Sequence, residues 1–129
     1  MAAEILVVED NERNMKLVRD VLRASGYRTL EATTGEEAIE LAEAHVPALV
    51  LMDVQLPGID GASALARLRS AERTTAIPVV AVTAQAMEGD RQRFLDAGFD
   101  GYLPKPVDVI ELVAAVRGLC GDRRSPGPR

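Results

Sequence analysis

Ala48-Leu49-Val50-Leu51-Met52-Asp53 is an apolar run closed by a carboxylate. A short uninterrupted run of this kind, bounded by Pro47 on one side and polar residues on the other, fits a strand covered on both faces. Pro78-Val79-Val80-Ala81-Val82-Thr83 has the same form and also ends in a polar residue. Strands buried on both faces belong to parallel sheets, whose connections are helices.

The segments around these two runs alternate accordingly. Glu4 to Glu9 reads as a first strand. Asn11 to Ser25 has helical spacing, with Asn14, Leu17, Val18, Val21 and Leu22 expected on one face and Gly26 as terminator. Tyr27 to Ala32 reads as a second strand. Thr34 with Glu37 forms a capping-box pattern, and the helix it opens runs to about His45 before Pro47. Leu56 to Gly61 is a loop, followed by a helix to about Glu72. Ala86 to Ala97 is a helix closed by Gly98. Met87, Phe94 and Leu95 are its main large apolar residues, and Gly89 within it weakens it. Phe99 to Leu103 is the fifth strand. Lys105-Pro106 then leads into a last helix with the stripe Val109, Leu112, Val113, Val116, Leu119 and Cys120. Lys105 lies between two prolines, and a cis-type or otherwise constrained turn is expected at Pro104-Lys105. Residues 1–121 form one domain and 122–129, with Ser125-Pro126-Gly127-Pro128, a flexible tail. The expected architecture is α/β: a five-stranded parallel sheet with helices on both faces.

Composition narrows the function. The 129 residues carry 15 basic and 20 acidic side chains, a net charge of -5, so no basic stripe for nucleic acid is expected. Without tryptophan, base stacking and sugar binding are disfavoured. One histidine, His45, excludes a multi-histidine zinc site, and one cysteine, Cys120, excludes an internal disulfide. No apolar run reaches the roughly 18 residues of a membrane span, and the start Met1-Ala2-Ala3-Glu4 lacks the basic region of a signal peptide. The expectation is a cytoplasmic protein. Thirteen of the basic residues are arginines; the only lysines are Lys16 and Lys105.

In open parallel sheets ligands bind beyond the carboxyl ends of the strands. Those ends here carry Glu9-Asp10, Asp53, Thr83-Ala84 and, just past the fifth strand, Lys105. Three carboxylates gathered together repel, and an oxygen-only donor set favours magnesium. Carboxylates, a hard cation and an ammonium suit phosphoryl chemistry, with the carboxylate of Asp53 able to act as nucleophile.

Val7-Val8-Glu9-Asp10-Asn11, Leu51 to Gly61, Val82-Thr83-Ala84 and Lys105-Pro106 are similar to the motifs of the response-regulator receiver domain, over roughly residues 4 to 120. Glu9-Asp10-Asn11, Asn14-Met15-Lys16, Val80 to Ala84, Ala86-Met87 and Gly89-Asp90 further resemble single-domain receivers of the DivK type, which govern bacterial cell division and cell fate. The resemblance implies a flavodoxin-like (βα)5 fold with strand order 2-1-3-4-5. It implies that Asp53 is the phosphoacceptor and that Asp10 is the main Mg2+ carboxylate, with Glu9 acting largely through water. The backbone carbonyl of Gln55 completes the ligands, and Lys105 and Thr83 bind phosphoryl oxygens. Tyr102 is the aromatic that follows Thr83. The implied partners are a sensor histidine kinase or histidine phosphotransferase and a downstream protein target. Gln55 and Gln85 occupy positions that influence dephosphorylation in this family, and Glu9 replaces the commoner aspartate.

Plainer readings stand beside these. Asp53 is also what a polar strand end looks like, Glu9-Asp10 could cap the first helix, Thr83 is an ordinary strand residue and Tyr102 could be packing. His45 reads as an exposed helix-end residue and Cys120 as core filler. Met15 is expected off the apolar stripe of the first helix, exposed beside the acidic residues, where it would contact the kinase. Two rival functions remain: an aspartyl-phosphate phosphatase, which Gln55 disfavours because it cannot serve as a general acid, and an interaction module that never carries phosphate. The expected reading is a switch rather than an enzyme, whose fourth helix moves.

Overall fold

The computed structural model describes residues 3–56, 58–84 and 90–121. The elements run β1 (Glu4–Val8), α1 (Glu12–Ala24), β2 (Arg28–Ala32), α2 (Gly35–His45), β3 (Leu49–Asp53), α3 (Gly61–Ser70), β4 (Val79–Thr83), α4 (Asp90–Asp96), β5 (Gly101–Pro104) and α5 (Val109–Val116). A π-helical turn, Arg117–Gly121, extends α5. The strands form one parallel sheet in the order β2-β1-β3-β4-β5.

Alternation along the strands builds two cores. Leu6, Val8, Val50, Met52, Val79 and Ala81 point to the face covered by α2 and α3, where they meet Ala38, Leu65 and Leu68. Ile5, Val7, Leu49, Leu51, Val80, Val82 and Leu103 point to the face covered by α1 and α5, where they meet Val18, Leu22, Leu112 and Val116. Every residue of β3 and β4 is buried, as their continuous apolar runs require.

The stripe of α1 differs from the expected one. Met15 is 6% exposed and lies in the core with Val18 and Leu22, whereas Leu17 is 41% exposed. At 100° per residue Met15 and Leu22, seven apart, are nearly eclipsed, and Val18 lies 60° from Met15. Leu17 falls outside this arc. Met15 therefore points under α1 and not into solvent.

Other boundaries shift by a few residues. Tyr27 precedes β2, and α3 ends at Ser70 rather than near Glu72. Phe99 belongs to the turn closing α4, its N–H donating to the Phe94 carbonyl at 3.1 Å, and β5 starts two residues later. In α5 only Leu112, Val116 and Cys120 of the expected stripe are buried; Val109 is exposed in its first turn. The cis peptide is Lys105-Pro106, because the tertiary amide is the one preceding a proline; it is not the Pro104-Lys105 step. At α2, Thr34 caps as expected, its hydroxyl accepting from the Glu37 N–H at 3.1 Å, but Glu37 reaches back to the Thr33 N–H at 2.8 Å rather than to that of Thr34. Ala86, Met87 and Gly89, expected in the fourth helix, and the tail 122–129 lie outside the described residues.

At the end of the sheet opposite the strand carboxyl termini, Arg69 joins distant segments. Its guanidinium donates to the carbonyls of Thr75 (3.1 Å), Ile77 (2.6 Å) and Gly98 (3.3 Å) and to Asp100 Oδ2 (2.7 Å). The same Asp100 oxygen accepts the Val79 N–H at 2.8 Å. The starts of β4 and β5 are thereby tied to α3.

Candidate functional site

Register decides what each strand delivers to its carboxyl end. Val8 pairs with Met52, so Glu9 emerges beside Asp53; Asp53 pairs with Val82, and Thr83 with Pro104, so Lys105 emerges beside Thr83. The Lys105 N–H donates to the Thr83 carbonyl at 2.8 Å, extending that pairing past the strand. Residues from four chain segments thus emerge on one edge.

Glu9, Asp53 and Thr83 are buried, while Asp10 is exposed. The Lys105 ammonium lies 2.9 Å from Asp53 Oδ2 and 2.9 Å from Glu9 Oε1. The remaining oxygen of each buried carboxylate accepts a backbone N–H: Gln55 to Asp53 Oδ1 at 2.9 Å, Asn11 to Glu9 Oε2 at 3.0 Å. Both carboxylates are therefore fixed in orientation. Asn11 is the N-cap of α1, its side chain accepting from the Asn14 N–H at 3.0 Å. Glu9 and Asp10 are not the cap, so the capping alternative for them falls away.

Carboxylate oxygens of Glu9, Asp10 and Asp53 lie within 4.8 Å of one another. One ammonium against three carboxylates leaves the cluster with excess negative charge. Burial pushes the Glu9 carboxyl above the usual carboxylate range and the nearby Asp53 charge adds to this; the hydrogen bonds from Lys105 and the Asn11 N–H offset only part of it. Burial alone would lower the Lys105 ammonium, but the hydrogen bonds and charges of Asp53 and Glu9 together outweigh it and raise it. The donor set is oxygen only, negatively charged and convergent, which fits a hard divalent cation such as Mg2+.

Glu9 and Asp10 line one side of a cleft of about 450 Å3 whose other walls include Arg13, Lys16, Glu31 and Thr33. Gln55, two residues beyond the end of β3, is exposed. Tyr102 is half-buried on β5, with its ring stacked on Phe94 of α4 (centroids 5.4 Å apart, planes at 20°), and Phe94 in turn meets Phe99 edge-on at 5.8 Å. Met15, expected to be exposed, is buried, and only its small accessible part lines the cleft beside Glu9 and Asp10. Gln85 lies outside the described residues.

The sequence matches the profile of the response regulator receiver domain over residues 5–117. It is 43% identical over 122 residues to the polar-differentiation response regulator DivK of Brucella ovis, covering 95% of this chain and 99% of that protein. A response regulator from Chloroflexus aurantiacus superposes with a TM-score of 0.88 at 32% identity, over 94% of this chain and 99% of that one. The receiver domain of a sensor histidine kinase from Pseudomonas aeruginosa, whose active-site cleft holds a magnesium ion, superposes with a TM-score of 0.86 at 38% identity over the same shares. The flavodoxin-like topology, the acidic strand edge and these matches lead to one conclusion: the chain belongs to the response-regulator receiver family and is similar to DivK.

Proposed function

We propose that this protein is a phosphorylation switch in which Asp53 accepts a phosphoryl group from phosphohistidine on a sensor histidine kinase or histidine phosphotransferase. The observation that carries the reading is the buried Asp53 carboxylate paired with the Lys105 ammonium and gathered with the carboxylates of Glu9 and Asp10. Asp53 would hold a cation together with Asp10, the backbone carbonyl of Gln55 and, through water, Glu9. Bound there, Mg2+ would supply positive charge to offset that of the phosphoryl oxygens and the carboxylates.

A carboxylate oxygen of Asp53 attacks phosphorus in line. The new O–P bond forms as the N–P bond breaks, and the donor imidazole leaves with the electron pair and takes up a proton. Lys105, already at Asp53, turns its ammonium to the phosphoryl oxygens. The Thr83 hydroxyl, at the end of the neighbouring strand, donates to another. Tyr102 follows Thr83, and because its ring stacks on Phe94 the movement reaches α4. The altered surface of α4, β5 and α5 then binds a downstream protein. The chain acts as a switch and not as an enzyme; return to Asp53 is self-catalysed hydrolysis. We place it in the cytoplasm, with residues 1–121 as the receiver and 122–129 as a tail. The likeness to DivK supports a role in cell-differentiation signalling.

Incubation with acetyl phosphate and Mg2+, followed by intact mass and peptide mapping, tests the reading. One phosphoryl group on Asp53, absent in Asp53→Asn with the fold retained, is expected. Phosphate on another residue, or none, would sink it.

A further inference from the structure

Of the proposed cation ligands, the Gln55 carbonyl alone has no side-chain torsion; its direction is set by the backbone of the loop between β3 and α3. Beyond the Gln55 N–H bond to Asp53 Oδ1 at 2.9 Å and the Val54 N–H bond to the Val82 carbonyl at 3.1 Å, that backbone is seated at two glycines. At its root, Gly61, the first residue of α3, lies against Val54: the Gly61 N–H donates to the Val54 carbonyl at 3.3 Å, and a Cβ on Gly61 would stand 2.7 Å from Val54 Cα. At its tip, Gly35, the first residue of α2, lies against Ile59: a Cβ there would stand 2.6 Å from Ile59 Cγ1 and 3.0 Å from the Ile59 carbonyl oxygen. Both glycines are buried, and neither has a positive φ, so what each position requires is the missing Cβ rather than glycine's backbone freedom. The Glu36 side chain, next along α2, packs on Gly58 of the same loop.

We propose that Gly35 is a positioning residue for the cation site: by leaving room for Ile59 it lets α2, which supplies no ligand, hold Gly58 and Ile59 and with them the run of the chain from the Gln55 carbonyl. The inference rests on the cation site described under Proposed function. Gly61 contacts backbone directly, so a side chain there disturbs the residue next to Asp53 itself. Gly35 acts only through Ile59, which makes it the discriminating position.

The test is Mg2+ titration of the full chain by calorimetry, with amide exchange at Gln55 followed by nuclear magnetic resonance. Gly35→Ala is expected to weaken Mg2+ binding about tenfold, the scale at which residues supporting metal ligands act, and to speed Gln55 exchange. Ile59→Ala introduces no clash and keeps the measurement possible should Gly35→Ala fold poorly; it is expected to weaken binding about threefold, below that same scale because it loosens the seat without displacing it. In the Ile59→Ala background, Gly35→Ala should add less than it costs in the wild type, because Cγ1, the atom it strikes most closely, is gone and only the carbonyl oxygen at 3.0 Å remains. Gly118→Ala, where a Cβ meets nothing within 4 Å, serves as control and should match wild type. Wild-type affinity and Gln55 exchange in both Gly35→Ala and Ile59→Ala would overturn the inference while leaving the cation site standing. Mg2+ binding that is absent in the wild type, or unchanged in Asp10→Asn, would instead overturn the site itself.

Discussion

Lys105 Nζ lies 2.9 Å from Asp53 Oδ2 across 52 residues of sequence, in a pocket where the two side chains are only 15% and 4% exposed. The pair is an ammonium inserted among carboxylates that would otherwise repel. Removing the ammonium leaves Asp53 and Glu9 buried and uncompensated, which costs far more than an exposed ion pair contributes. Lys105→Met should therefore lower stability by about 3 kcal/mol in urea unfolding without divalent cation, and Mg2+ should recover part of the loss. Equal stability of variant and wild type would mean that the carboxylates are neutralised in another way.

The cap of α3 gives a prediction about pH. Asp60 Oδ1 accepts the Ser63 N–H at 2.8 Å, and this bond above all holds the Asp60 carboxyl below its ordinary value of 3.8. A carboxyl depressed in the folded state contributes stability above its unfolded pKa and loses it as pH falls through its folded one. Asp60→Ala should then cost about 1 kcal/mol at neutral pH, the usual worth of a helix N-cap. The difference from wild type should shrink once the pH drops below 3.8. A penalty that stayed constant to lower pH would assign the effect to packing rather than to the charged cap.

Much of the site was legible because a parallel sheet gathers its strand ends. Glu9, Asp10, Asp53, Thr83 and Lys105 could be brought together once the five strands were recognised, and no side-chain detail was needed. The remainder depends on contacts that sequence spacing does not encode. Gly35 looks like any helix-opening glycine until Ile59, 24 residues later, is seated on it. Arg69 meets Asp100 across 31 residues, and nothing local marks either as a partner. For α1 the periodicity is present in the sequence, but spacing alone admits Asn14 and Leu17 to the stripe as readily as Met15. The inward arc is set by which residues face β1, β3 and α5, and Met15, Val18 and Leu22 occupy it.

Val46 closes α2 in the left-handed region, φ 46° and ψ 65°, with its N–H donating to the Ala42 carbonyl at 2.8 Å. A β-branched residue is unfavourable there because its Cβ crowds the following carbonyl. Its side chain is 41% exposed, so little burial is at stake. Val46→Asn, which tolerates this conformation, should raise stability by about 1 kcal/mol and shift the thermal midpoint up by several degrees (about 4 °C for a domain of this size). A lower midpoint would show that the contacts of Val46 beside Pro47 outweigh the backbone strain.

Met15 separates a core residue from a docking residue. With 6% exposure and neighbours including Val18 and Leu22, it fills space between α1 and the sheet. Truncation leaves a cavity, so Met15→Ala should cost about 2–4 kcal/mol and lower the urea midpoint with no change in denaturant slope. Phosphorylation of Asp53 by a phosphohistidine donor and by acetyl phosphate should then change together, because any effect passes through the placement of Glu9 and Asp10 between β1 and α1. Slower transfer from the phosphohistidine donor alone, in a variant as stable as wild type, would return Met15 to the partner-binding face.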